Sequence, residues 1–200
     1  MPPRTPARAT ARFAAAVFLA TFCLSLLNGC APAIIAVGVG AGALVVTDRR
    51  TTGAQVDDEA IENKVTLSAG SSWGNTIHLN VTSYNARVLL TGEAPTTATR
   101  DEITRITKTT DRVQSVTNEM VIGPVTDLGP RTNDSYLTSV VKARFVEAGK
   151  FAPNHVKVVT ERSVVYLMGI VSREEGNAAA QIAATTSGVA RVVKLFQYTD

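Results

Sequence analysis

The sequence predicts an α+β protein that consists of two small tandem domains behind a secretory leader. The first observation is an internal repeat, because VLLTG at 88–92 recurs as VYLMG at 165–169, 77 residues later. The second is the hydrophobic periodicity, which changes from helical to strand-like in the same order within each copy. The third is that Cys23 and Cys30 both precede the repeats. The two domains therefore hold neither a disulfide framework nor a cysteine-based metal site.

A predicted helix opens each repeat, since apolar residues recur there with the spacing i, i+4, i+8. These residues are Ile61, Val65 and Ala69 in the first repeat and Leu137, Val141 and Phe145 in the second. Asp58 and Asp134 lie just before them. Aspartate is a favoured N-cap, so we expect the two helices to begin at these positions.

Three strands and a second helix complete each repeat. The strands are predicted at 77–83, 86–92 and 113–122, and again at 154–160, 163–169 and 189–198. The links Tyr84-Asn85 and Glu161-Arg162 are short enough for hairpins. The second helices are predicted near 96–110 and 173–187. The order αββαβ gives a three-stranded mixed sheet covered by two helices. Units of about 67 residues have thin cores, so packing the repeats together is expected to stabilise both.

The leader occupies residues 1–29, which contain Arg4, Arg8 and Arg12, no acid and an apolar run at 13–27. This pattern is typical of a secretory signal peptide. The run ends in Leu-Asn-Gly-Cys at 27–30, which resembles the lipobox of bacterial lipoproteins and makes Cys30 the expected lipid anchor. Ala31, where an aspartate would resemble an inner-membrane retention signal, favours the outer membrane.

A Gly-rich tether is expected at 30–56. Its apolar part, 31–46, is short for a membrane span, although Gly38, Gly40 and Gly42 would permit close helix packing, so membrane insertion stays a second interpretation.

Charge is distributed unevenly along the chain. After residue 29 there are 17 basic and 17 acidic residues, which argues against a nucleic-acid-binding surface. The first repeat, 57–123, has nine acids and six bases, whereas the second, 133–200, has six acids and eight bases. The second repeat is therefore the better candidate for an anionic ligand.

The αββαβ order, the repeated V-x-L-x-G strand, the lipobox and the tether together resemble the dual BON-domain outer-membrane lipoproteins of the DolP/YraP type. The resemblance implies BON domains at 57–123 and 133–200, joined by a linker at 124–132. It also implies a non-enzymatic, lipid-anchored protein that faces the periplasm, binds anionic phospholipid and supports envelope integrity. Envelope assembly or division proteins are the further partners that it suggests.

Catalytic and metal-binding patterns are not evident in the sequence. His78 and His155 occupy equivalent positions before a strand and are interpreted as half-exposed turn residues. No His/carboxylate cluster, metal or cofactor is expected, and Glu174-Glu175 is interpreted as stabilising a helix N-terminus. Gly92 and Gly169 are expected to permit a close approach or a positive φ.

The first helix of the second repeat is the candidate membrane-binding element. Tyr136 replaces Ala60 of the first repeat, and aromatic rings with a polar tip favour membrane interfaces. The expected phospholipid-binding residues are Tyr136, Val140, Lys142 and Arg144. Two interpretations stay open, namely an ordinary solvated helix face and an adaptor that docks an envelope enzyme or assembly complex.

Overall fold

The computed structural model describes residues 48–200, so the predicted signal peptide, Cys30 and most of the tether lie outside the described residues. The first repeat contains α1 (Thr52–Trp73), β1 (His78–Tyr84), β2 (Arg87–Ala94), α2 (Thr97–Thr109), β3 (Ser115–Asn118) and β4 (Val121–Ile122). The second contains α3 (Leu128–Ala148), β5 (Val156–Glu161), β6 (Val164–Val171), α4 (Arg173–Ala184) and β7 (Arg191–Tyr198). The predicted order αββαβ is confirmed in both repeats.

The two opening helices begin earlier than their apolar periodicity suggests. α1 starts after Thr51, whose hydroxyl accepts a hydrogen bond from the Ala54 N–H at 3.1 Å. α3 starts at Leu128, within the predicted linker 124–132. Pro130 lies in its first turn, where a missing backbone N–H breaks no helical hydrogen bond.

The prediction that Asp58 and Asp134 are N-caps is wrong, because both lie inside a helix and are buried. Asp58 accepts hydrogen bonds from the backbone N–H groups of Asn85 and Ala86 at 2.7 and 2.8 Å. Asp134 repeats this arrangement in the second hairpin turn, where it accepts from the N–H groups of its two central residues at 2.7 and 2.8 Å. Each aspartate thus ties its helix to the turn of its own hairpin.

The two turns need this support because their central residues have positive φ without being glycine. Asn85 and Ala86 have φ of 50° and 64°, and Arg162 and Ser163 have φ of 52° and 61°. Positive φ at both central positions is the geometry of a type I′ turn, which matches the twist of a hairpin. The buried carboxylates stabilise that backbone conformation by accepting its N–H groups.

Each sheet is mixed. β1 pairs antiparallel with β2, and β5 pairs antiparallel with β6. The closing strand runs parallel to the middle one in both repeats. The predicted strand 113–122 is interrupted, since Asn118 Oδ1 accepts the Met120 N–H at 2.9 Å and the chain rejoins β2 only at Val121–Ile122. The equivalent strand β7 is continuous.

Alternate residues of the middle strands face two different cores. Val88 and Leu90 pack under α1 and α2, and Val165 and Leu167 pack under α3 and α4. Leu89, Tyr166 and Met168 face the other way and form, with Tyr84 of β1, a third cluster that joins the repeats. Each sheet therefore lies between its own helices and the other sheet, and the expected packing of the two repeats is observed.

Candidate functional site

The exposed side of α3 carries an apolar stripe. Tyr136 and Val146 are 65% and 67% exposed, although both are large hydrophobic side chains. Ser139 and Ala143 lie between them and are also exposed. The spacing i, i+3, i+7, i+10 places all four residues on one side of the helix. We call this stripe the Tyr136 face.

The opposite side of α3 is anchored in the core. Leu137, Val141 and Phe145 are almost completely buried, and the Phe145 ring meets the Phe151 ring edge-on at a centroid distance of 5.0 Å. This packing holds the helix, so the Tyr136 face is presented on a rigid support.

The four residues predicted to bind phospholipid do not share one surface. Val140 follows Tyr136 by one helical turn and is half-buried. Lys142 is exposed and borders the Tyr136 face on its other side, one turn before Val146. The sequence prediction missed Val146, although its spacing from Tyr136 was a usable signal.

The interpretation of Arg144 as a phospholipid-binding residue needs correction, because its guanidinium binds the C-terminus of α4. It donates to the Ile182 carbonyl oxygen at 2.9 Å and to the Thr186 hydroxyl at 2.6 Å. A cation at a helix C-terminus satisfies carbonyl groups that have no intrahelical partner. Arg144 therefore holds α3 to α4 and does not belong to the Tyr136 face.

His78 lies in a second candidate site, between the repeats. It is the first residue of β1 and is paired across the hairpin with Glu93, whose side chain is 0% exposed. The His78 Nδ1 lies 3.0 Å from Glu93 Oε2 and 3.8 Å from an oxygen of Glu161, which comes from β5 of the other repeat. The expectation of a half-exposed turn residue without a carboxylate cluster is therefore wrong at His78.

Hydrogen bonds keep both carboxylates of this cluster in place. Burial opposes the ionisation of Glu93, but hydrogen bonds from Thr126 and His78 outweigh it and lower the pKa of Glu93. Glu161 accepts from the Asn80 amide at 2.7 Å and the Thr91 hydroxyl at 3.3 Å. The sequence offered no signal for this cluster, since its three members are distant along the chain.

The described end of the tether is attached to both repeats. Arg49 donates to the Ile170 carbonyl oxygen at 2.9 Å and forms a two-pronged ion pair with Glu175 of α4. Arg50 pairs with Asp58 at 2.9 Å and lies over the Tyr84 ring. The segment that precedes α1 is thus held against both repeats.

Comparison with known proteins gives the family. A family model described as BON domain matches residues 57–124 and 133–200. The outer membrane lipoprotein DolP of Haemophilus influenzae is 39% identical over 176 residues, which cover 87% of this chain and 91% of that protein. This chain belongs to the BON domain family.

Two further similarities are weaker. The 21 kDa hemolysin of Actinobacillus pleuropneumoniae is 33% identical over 155 residues, which cover 76% of this chain and 80% of that protein. The C-terminal domain of CdsD, a structural protein of the type III secretion system of Chlamydia trachomatis, is 12% identical, with a TM-score of 0.29 over 72% of this chain and 67% of that one. That last likeness carries no argument about function.

The two BON domains present different outer surfaces on equivalent helices. In the first, α1 carries Ala60 at the position of Tyr136 and Leu67 at the position of Ala143. Leu67 is 73% exposed and has no aromatic neighbour on this side of α1. Within residues 48–200, no helix is both long and apolar enough to cross a bilayer.

Proposed function

We propose that this protein is a non-enzymatic outer-membrane lipoprotein that binds anionic phospholipid through the Tyr136 face of its second BON domain. The observation that carries the proposal is the exposure of Tyr136 and Val146 on a helix whose other side is firmly packed. Exposed apolar side chains on one rigid face are typical of interaction surfaces. Facing the periplasm, the protein would support envelope integrity at the membrane to which it is anchored.

The chemistry of the face suits a membrane interface. A tyrosine ring can lie among the upper acyl carbons while its hydroxyl stays at the headgroup level. Val146 adds apolar contact, and Lys142 at the border attracts phosphate groups at about 1 kcal/mol near an anionic surface. The second BON domain also has the net positive charge, with eight bases and six acids from 133 to 200.

Anchoring through Cys30 is part of the same proposal. The lipobox at 27–30 lies outside the described residues, and the relative from Haemophilus influenzae is named an outer membrane lipoprotein. One lipid anchor concentrates the domain at the membrane, so even a weak headgroup contact becomes effective.

The anchor is tested by Cys30→Ala. We expect this variant to incorporate no labelled fatty acid and to leave the outer-membrane fraction, whereas Cys23→Ala behaves as wild type because Cys23 lies within the predicted signal peptide. Labelling of Cys30→Ala at the wild-type level would contradict the lipobox assignment.

The lipid-binding face is tested with vesicles of phosphatidylglycerol and of phosphatidylcholine. A fragment of residues 48–200, checked for folding by circular dichroism, is expected to bind only the anionic vesicles. Tyr136→Ala removes an apolar contact, so its loss of binding is expected to persist at high salt. Lys142→Ala removes a screened attraction, so its effect of about fivefold at low salt is expected to shrink as the Debye length falls below about 10 Å.

Leu67→Ala is the matched control, because Leu67 is equally exposed on the corresponding helix of the first BON domain. It is expected to bind anionic vesicles like wild type. Wild-type binding by folded Tyr136→Ala and Lys142→Ala, or an equal loss in Leu67→Ala, would reject the Tyr136 face as the lipid site.

An adaptor function is the second candidate, and Val56 and Leu67 are the observation that favours it. Both are exposed apolar residues on α1, the opening helix of the BON domain with net negative charge. Such a surface suits a protein partner, for which envelope assembly or division proteins are the proposed class. A specific complex that Leu67→Ala disrupts, together with a flat vesicle titration, would favour the adaptor.

A further inference from the structure

We propose that His78, Glu93 and Glu161 form a binding site for a divalent transition-metal ion of the Zn²⁺ class, which joins the two BON domains. This site is separate from the Tyr136 face and does not depend on lipid binding. One imidazole and two carboxylates are a ligand set that zinc accepts. The ligand atoms of the three side chains all lie within 4.8 Å of one another.

The distances fit a small tetrahedral ion. Metal bonds of about 2.0–2.1 Å place neighbouring ligand atoms about 3.3 Å apart in a tetrahedron. The His78 Nδ1 is 3.0 Å from the nearer Glu93 oxygen and 3.8 Å from the nearer Glu161 oxygen. The oxygens of Glu93 and Glu161 lie within 4.8 Å of each other, so the two carboxylates would have to move toward each other to bind one ion.

The two carboxylates of the cluster also favour the binding of a cation. The side chains of Glu93 and Glu161 are 0% and 7% exposed, so two carboxylates share one poorly hydrated region. The nearest guanidinium is that of Arg162, which lies 3.5 Å from Glu93 and is half-exposed. Hydrogen bonds already stabilise both carboxylates, and a divalent ion would add an opposite charge that the two could share.

The surroundings provide access and orientation. A cavity of about 330 Å³ opens beside the cluster and is lined by His78, Asn80, Arg131, Ser135 and Glu161, among others. It leaves room for a water molecule as the fourth ligand. The Asn80 amide nitrogen donates to Glu161 at 2.7 Å, so it acts as an outer group that holds one carboxylate of the cluster in position.

Within residues 48–200, the second repeat has no equivalent of this cluster at the matching position. His155 is the counterpart of His78, but Ile170 stands where Glu93 stands in the first domain. The carboxylate near His155 is Glu175, at 3.7 Å, and it already pairs with Arg49 at 2.7 Å. His155 therefore provides a matched control within the same protein.

The ion would link the two BON domains. Glu93 lies on β2 of the first BON domain and Glu161 on β5 of the second, so bound metal would connect the sheets beside the shared apolar cluster. Because the metal would bind the packed pair more tightly than separated domains, it would stabilise their arrangement.

The experiment is calorimetric titration of the full-length lipoprotein with ZnCl₂, in detergent and without a polyhistidine tag. We expect one saturable site with micromolar affinity and a rise in melting temperature with added metal. His78→Gln and Glu161→Gln are each expected to weaken binding by more than about tenfold, since even outer-shell changes commonly cost about 10–100-fold. His155→Gln is expected to bind like wild type.

Several results would overturn the proposal. Absence of saturable binding in the micromolar range would reject the site. So would equal weakening by His155→Gln and His78→Gln, or wild-type affinity in both His78→Gln and Glu161→Gln. Circular dichroism establishes that each variant is folded, and Asn80→Ala serves as a milder variant, expected to weaken binding without removing a ligand, should a ligand variant unfold.

Discussion

The two BON domains have the same chain order and the same buried pattern but differ at their polar positions. Val88 and Leu90 of the first correspond to Val165 and Leu167 of the second, and all four are buried. The position of Glu93, by contrast, is Ile170 in the second domain. Packing constrains the positions that fill a core, whereas positions on outer or interdomain surfaces are free to differ between the two domains.

The contrast extends to the charged residues that support each hairpin. Asp58 accepts four hydrogen bonds, from Arg50, Ser83 and the two turn N–H groups, whereas Asp134 accepts the two turn N–H groups. The additional partners of Asp58 include Arg50, which lies in the segment that precedes α1. The first domain thus couples its turn to the tether.

The largest expected effects concern Gly92 and Gly169. A Cβ at Gly92 would lie 2.1 Å from the His78 carbonyl oxygen, and one at Gly169 would lie 2.3 Å from that of His155. Gly92 also has a φ of 113°. We therefore expect Gly92→Ala to lower the free energy of unfolding by about 4 kcal/mol and Gly169→Ala by about 1 kcal/mol less, since only Gly92 combines both constraints.

Urea denaturation measures these changes, and Gly70→Ala is the control. A Cβ at Gly70 meets no atom within 4 Å, and alanine is the better helix former by about 1 kcal/mol. Gly70→Ala is thus expected to be neutral or stabilising. Equal stability of Gly92→Ala and wild type would refute the close approach in the first hairpin.

An intermediate effect is expected at the two buried aspartates. Asp58→Ala removes one of the two carboxylates that pair with Arg50 and leaves three other donors without their acceptor, so it is expected to cost about 3 kcal/mol. Asp134→Ala leaves two N–H groups and is expected to cost about 1–2 kcal/mol. A larger loss for Asp134→Ala, measured by the same denaturation, would contradict the difference between the domains.

Asp58 is also expected to make the stability of the fold depend on pH. Burial opposes the ionisation of Asp58, but hydrogen bonds from Ser83 and the turn N–H groups of Ala86 and Asn85 outweigh it, so its pKa is lowered. A lowered folded-state pKa stabilises the fold above the unfolded value of about 3.9, and this contribution is lost as pH falls through the folded value. Asp58→Asn should therefore flatten the loss of stability below about pH 4, and an unchanged acid profile would exclude this contribution.

The smallest effect concerns Arg144 and separates stability from binding. Arg144→Ala removes hydrogen bonds to the C-terminus of α4 and is expected to cost about 1 kcal/mol while leaving phosphatidylglycerol binding unchanged. Ser68→Ala, at the equivalent position of α1, should alter neither property. If Arg144→Ala is as stable as wild type but binds vesicles more weakly, Arg144 belongs to the lipid-binding site after all.

Local patterns in the sequence determined much of the fold. The V-x-L-x-G repeat and the changes of periodicity predicted both αββαβ units, because burial on one face imposes a spacing of about 3.6 on helices and 2 on strands. The exposed position of Tyr136 followed from its place beside the stripe formed by Leu137 and Val141. These features depend on neighbours within one element.

Only the tertiary structure determined which polar groups meet. Aspartate is a favoured N-cap residue, and Asp58 and Asp134 precede the apolar stripes of their helices. Each nevertheless binds a turn more than 25 residues away, because α1 and α3 begin before them. Arg144 could not be separated from Lys142 until α4 was placed against α3. His78, Glu93 and Glu161 come together only when two sheets pack face to face. Hydrogen bonds and ion pairs of this kind connect residues that are distant in the chain. The periodicity of a single helix or strand cannot predict such contacts.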